Sequence, residues 1–186
     1  ALGPRAVRAS EEARLPRFYW DLRLYRALGA KAQTPYTPAL PQLHGMREAL
    51  KMLEREGLEG VYRRHRLMAS MMRAGVRAMG LGTLAPEEHA SPTVTAVLLP
   101  GGVDPEEVRR GLREWLGITA AGGQGPLKGR VVRFGHMGFC GPVEVLGALA
   151  GLELVLRRVG HELQPGSGVS AAPKVWGEEG RSPCGP

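Results

Sequence analysis

Lysine is scarce in a chain of strongly positive charge. The 186 residues carry a formal net charge of +7, yet Lys31, Lys51, Lys128 and Lys174 are the only lysines among 25 basic residues. Arginine supplies the rest, alongside abundant Gly, Ala and Pro, which reads as a compositional bias of the whole chain. The basic residues are interleaved with Glu and Asp rather than gathered in one block, so the charge argues against a nucleic-acid partner. Cysteine is also rare. Cys140 and Cys184 lie far apart and share no metal-ligand spacing with the five histidines, which excludes a disulfide scaffold or a zinc site. No apolar run approaches the roughly 20 residues of a membrane span, and no signal peptide is expected. The expectation is a cytoplasmic chain with no membrane partner. It opens on Ala1 rather than Met, and residues 1–6 read like the continuation of something already under way, so a fragment or processed product is expected. A hydrophobic content of 43% is enough for a core in one domain, or one domain with appendages.

The pattern along the chain predicts mixed secondary structure. Ser10–Leu28 reads as an amphipathic helix capped by Ser10. Pro35, Pro38 and Pro41 keep residues 34–41 out of regular helix. Helices are expected over Leu43–Glu56, ending at Gly57, and over Leu58–Met79. In the latter, Met68, Met71 and Met72 read as core filling, and Arg63, Arg64 and Arg66 as a solvated face. Thr93–Leu99 is β-rich. Asp104 caps a helix from Pro105 to Leu116. Short strands follow at Gly117–Ala120 and Arg130–Gly135, then a helix over Pro142–Val159. From Gly160 on, the Gly, Pro and Ser content predicts a flexible tail. The fold class is α+β, with helices packed on one face of a small, largely antiparallel sheet. The expected organisation is a helix and ordered loop over 1–41, a small domain over 42–159 and the tail over 160–186.

The chemistry concentrates between Thr119 and Gly138. The loop GGQGPLKG resembles two phosphate-binding patterns and satisfies neither. A dinucleotide fingerprint needs glycine where Lys128 stands, and a P-loop needs Ser or Thr where Gly129 stands. A strand follows the loop, not a helix, so no helix N-terminus awaits a phosphate. Arg133 lies inside that strand. Alternation puts Val132 and Phe134 on one face and Val131, Arg133 and Gly135 on the other. A buried cation in a strand is costly unless an anion meets it: either a structural carboxylate or the carboxylate of a substrate, whose planar shape a guanidinium fork matches. His136 is a weaker candidate for a general base, with no nucleophile or orienting carboxylate near it in sequence. Thr34, Tyr36 and Thr37 offer hydroxyls on a proline-stiffened loop.

The segments QTPYTPA, MREALKMLEREGLEGVYRRHR, SPTVTAV and ITAAGGQGPLKGRVVRFGHMG occur in this order. Together they resemble the C-terminal half of class V, fold type I, pyridoxal-phosphate aminotransferases of the serine–pyruvate and alanine–glyoxylate group, which also holds proteins called soluble hydrogenase small subunits. The resemblance covers roughly residues 1–159, and implies that 1–41 form an inter-domain helix and cross-subunit loop. It implies a substrate-carboxylate arginine at Arg133, and Gly122, Gly123 and Gln124 near the substrate. It implies contact of Thr37 with the phosphate of pyridoxal 5'-phosphate across a homodimer. Thr34 falls beside it, where some members carry tyrosine. Small amino acids and 2-oxo acids would be the substrates. No lysine stands in the context of the family's Schiff-base lysine, so covalent attachment of the cofactor and the amino transfer would need residues outside this chain. A non-catalytic subunit or interaction module derived from the family is the alternative.

Overall fold

The computed structural model describes residues 2–179. The chain divides into two units, Ala1–Met52 and Leu53–Pro186.

In the first unit, two helices stand where one was expected: α1 (Pro4–Glu12) and α2 (Leu22–Gly29). Pro16 lies between them and cannot continue a helix, because it lacks the N–H and crowds the preceding turn. Ser10 is inside α1, where its hydroxyl donates to the Val7 carbonyl at 2.7 Å. Asp21 is the cap that α2 uses, accepting from the Arg23 N–H at 3.1 Å. In the proline-rich loop, Tyr36 stacks on Tyr19 with 4.7 Å between ring centroids. Helix α3 (Leu40–Glu56) begins ahead of Pro41, since proline is tolerated in a first turn. No described residue of this unit is buried.

The second unit holds the core. It contains α4 (Leu58–Ala78), β1 (Gly82–Thr83), β2 (Val94–Leu98), α5 (Pro105–Leu116), β3 (Ala121–Gly122), β4 (Val131–Gly135), α6 (Pro142–Arg158) and α7 (Ser167–Glu179). The four strands pair antiparallel in the order β1-β2-β4-β3, so the α+β class holds with one strand more than expected. The strand expected at Gly117–Ala120 is displaced to Ala121–Gly122. Gly117 caps α5 in the left-handed region (φ 68°), and the Ile118 N–H turns back to the Leu112 carbonyl at 2.9 Å, closing the helix in place of a ladder.

One face of the sheet is covered by helices. Val97, Val132 and Phe134 pack with Met68, Met71, Met72 and Val76 of α4, Leu112 of α5, and Leu149, Leu152 and Leu156 of α6. The methionines are therefore core. Over residues 167–179 the tail expected to be flexible forms α7, with Ala172 fully buried in this core. The rest of that expectation, past Glu179, lies outside the described residues, as does Cys184.

A buried carboxylate holds the start of α7. Glu153, on α6, accepts from the N–H groups of Gly166, Gly168 and Val169 at 2.8, 2.6 and 3.4 Å. These are the donors a helix N-terminus leaves unsatisfied.

Candidate functional site

Arg133 is at the middle of β4, between β2 and β3. Its partners across the two ladders are Ala96 and Ala121. Opposed residues of paired strands share a face, so the two nearest neighbours of the arginine carry single methyl groups and leave room around the guanidinium. The side chain is half-buried. Its Nε donates to the Gly122 carbonyl at 2.7 Å, which fixes the plane of the fork. Among the described residues no carboxylate pairs with it. Of the two anions the sequence allowed, the structural one is therefore missing.

The glycine loop is built by its own backbone. A side chain at Gly123 would collide with the Leu127 carbonyl, where the loop closes on the turn Gly125–Leu127. Gly125 and Gly129 have φ of 52° and 70°, accessible to glycine at no cost. Gly122 adds the carbonyl that holds Arg133, and a Cβ there would press on Glu106 and Arg109 of α5. Gln124 is exposed. So Gly122 is brought to Arg133, whereas Gly123 serves the loop's own close approach.

His136 is excluded as a base facing the same ligand. Two residues on from Phe134, it shares the core face, and it is 1% exposed. Its Nε2 is 2.9 Å from the Thr95 hydroxyl. Burial lowers its pKa to about 4, against a raising pull from the Pro92 backbone. It is neutral near pH 7.

The loop after β4 is held from α4 by His65 and by Arg64, which the sequence placed on a solvated face. The Arg64 Nη1 donates to the carbonyls of Gly138 and Cys140 at 2.7 and 3.1 Å, while its other edge forms a bidentate pair with Glu56 at 2.7 and 2.8 Å. The Gly138 N–H donates to His65 Nε2 at 3.2 Å, and His65 Nδ1 is 2.7 Å from the Val61 carbonyl. That pairing assigns the proton to Nδ1. Both polar groups of Gly138, itself at φ 71°, are thus tied to adjacent residues of one helix. Nothing in the local sequence announces a contact spanning more than seventy residues.

Thr34 and Thr37 belong to the first unit, and Arg133 with its glycine loop to the second. Both threonines are exposed, and their hydroxyls make no hydrogen bond among the described residues. Lys31, Lys51, Lys128 and Lys174 are all exposed, with Lys51 on Glu48 at 3.0 Å. No cluster of described residues has the ligands for a metal ion, and no described helix is long and apolar enough to cross a membrane.

No family profile matches the chain. Individual proteins do. The soluble hydrogenase small subunit of Synechococcus is 40% identical over 176 residues, covering 94% of this chain and 46% of that protein. The serine–glyoxylate aminotransferase of Methylorubrum extorquens is 40% identical over 174 residues, or 90% and 43%. The crystal structure of ureidoglycine–glyoxylate aminotransferase from Bacillus subtilis superposes with a TM-score of 0.82 at 34% identity, covering 93% of this chain and 46% of that one. The chain is similar to class V pyridoxal-phosphate aminotransferases. It spans less than half the length of these relatives, consistent with a match to their C-terminal domain alone.

Proposed function

We propose that this chain forms the carboxylate-binding side of a pyridoxal-phosphate aminotransferase that moves an amino group between a small amino acid and a 2-oxo acid. The carrying observation is Arg133: a guanidinium on a central strand, oriented by the Gly122 carbonyl, flanked by alanines and left without a protein carboxylate. A planar fork of this kind takes a carboxylate bidentately and fixes the α-carbon relative to the sheet. Both substrates of the reaction carry that group, so one arginine serves both half-reactions.

Pyridoxal phosphate, when bound, supplies the electron sink. The residues here fit its phosphate in part: the hydroxyls of Thr37 and Thr34 are exposed and uncommitted, as a phosphate-contacting group must be. Their contact would be made across a homodimer. The four lysines are exposed and in no matching context, so covalent attachment is not assigned to this chain, and by itself it is expected to be inactive. His136 moves no proton, being neutral and beneath the sheet.

The test is kinetic. In holoenzyme made from the full native polypeptide, Arg133→Ala should weaken productive binding of both the amino acid and the 2-oxo acid by about 2–5 kcal/mol, seen in kcat/KM. Arg133→Lys should fall between, because an ammonium keeps the charge and loses the fork. Unchanged kinetics in Arg133→Ala would overturn the assignment.

A further inference from the structure

Arg63, Arg66, Ser70, Arg73 and Arg77 follow one another at intervals of three and four along α4, so they share one face of the helix. Like charges one turn apart repel, and a lone carboxylate answers them. Glu87 accepts from Arg73 Nε at 2.8 Å and Nη2 at 2.7 Å, and from Arg77 Nη1 at 2.6 Å. Both arginines at the far end of the face are left over. Arg63 and Arg66 form no ion pair among the described residues, and Glu59, one turn before Arg63, stays out of range. Arg73 is 7% exposed, and its Nη1 is buried with no partner. Orphaned buried donors are rare and costly. Arg63, Arg66, Ser70, Arg73, Glu87 and Pro92 line a single cleft of about 500 Å³.

We propose that this cleft binds a small phosphate-bearing anion, seated over Ser70, with the fork of Arg66 one turn to one side, the unpartnered Nη1 of Arg73 one turn to the other, and Arg63 completing the lining. A carboxylate offers two coplanar oxygens, enough for one fork. A phosphate offers three terminal oxygens and close to two negative charges at neutral pH, which matches several guanidinia and a hydroxyl together. Inorganic phosphate and a phosphomonoester share this chemistry. The site does not rest on the reading of Arg133: either can fail without the other.

The experiment titrates inorganic phosphate, and separately glycerol 2-phosphate, into the 186-residue chain at constant ionic strength, following backbone amide resonances. Saturable shifts are expected at Ser70, Arg73 and Ala90. Tighter binding of the ester identifies an esterified ligand; equal binding identifies free phosphate. Arg66→Gln, at an exposed position, should leave the thermal midpoint in place and weaken binding about tenfold or more, the worth of one charge-assisted hydrogen bond. Arg110→Gln, in the other basic cleft with Arg109 and Arg113, should change nothing. The proposal is overturned by the absence of saturable shifts, by binding that survives Arg66→Gln, or by binding confined to duplex DNA with steep salt dependence.

Discussion

His136 carries an uncharged ring beneath the sheet, and its burial sets how the molecule meets acid. The folded-state pKa is lowered to about 4 from the ordinary 6.5. The unfolded chain therefore takes up the proton first as pH falls. The stabilisation is complete above pH 6.5 and is lost progressively down to about pH 4. Integrated over that window, the loss is on the order of 3 kcal/mol. Carboxylates titrate in the same range, so the contribution is read as a difference: wild type should lose about 3 kcal/mol more than His136→Gln between pH 7 and pH 4 in urea unfolding. Equal losses would mean that the ring is not held neutral. At this scale strand alternation is the legible signal. It separates Arg133 from Val132 and Phe134 correctly, because a period of two needs no partner to be read. It does not tell what Arg133 meets, since the missing carboxylate is a fact about space.

Among the elements, long periodic helices and β2 are close to what their sequences predict, and the departures have physical causes. Pro16 splits a helix, and the left-handed Gly117 delays a strand. The two-residue strand β1 carries no periodicity at all. Helix α7 is the largest departure. Its segment holds Gly166, Gly168 and Pro173, poor helix formers, and what makes it a helix lies on another element: Glu153 receives its first N–H groups, and Gly75 and Gly168 let α4 and α7 approach until a Cβ at either would strike a neighbour. Glu153→Ala should therefore cost about 2–3 kcal/mol, the range for hydrogen bonds to a charged acceptor. It should also raise amide exchange across 167–176 more than in α4. Glu153→Gln, which keeps one acceptor oxygen, should lose roughly half as much. An unchanged exchange pattern in Glu153→Ala would show that packing alone holds the helix.

For the whole molecule, the distribution of burial is uneven. The first unit, through Met52, has no buried residue among those described. It exposes large apolar side chains such as Leu15, Phe18 and Trp20, at 83%, 78% and 78%. A segment that removes so little apolar surface from water has little to set against the entropy of ordering it. The second unit buries Met68, Met71, Met72 and Met79 with leucines and valines of its helices and strands in one continuous cluster. Stability of the isolated chain should then reside in the second unit. Native-state hydrogen exchange measures this directly. Amides of α1 and α2 should exchange through local opening that costs almost nothing, whereas those around Met68–Val76 and Leu149–Leu156 should need global unfolding. With the usual 5 kcal/mol or more for a small domain, the protection should differ by roughly a thousandfold or more. Comparable protection in α1 and α2 would mean that the first unit is stabilised by contacts other than its own burial. The same measurement in the longest native form of the protein should raise protection in α1 and α2 if the exposed Leu15, Phe18 and Trp20 are covered there.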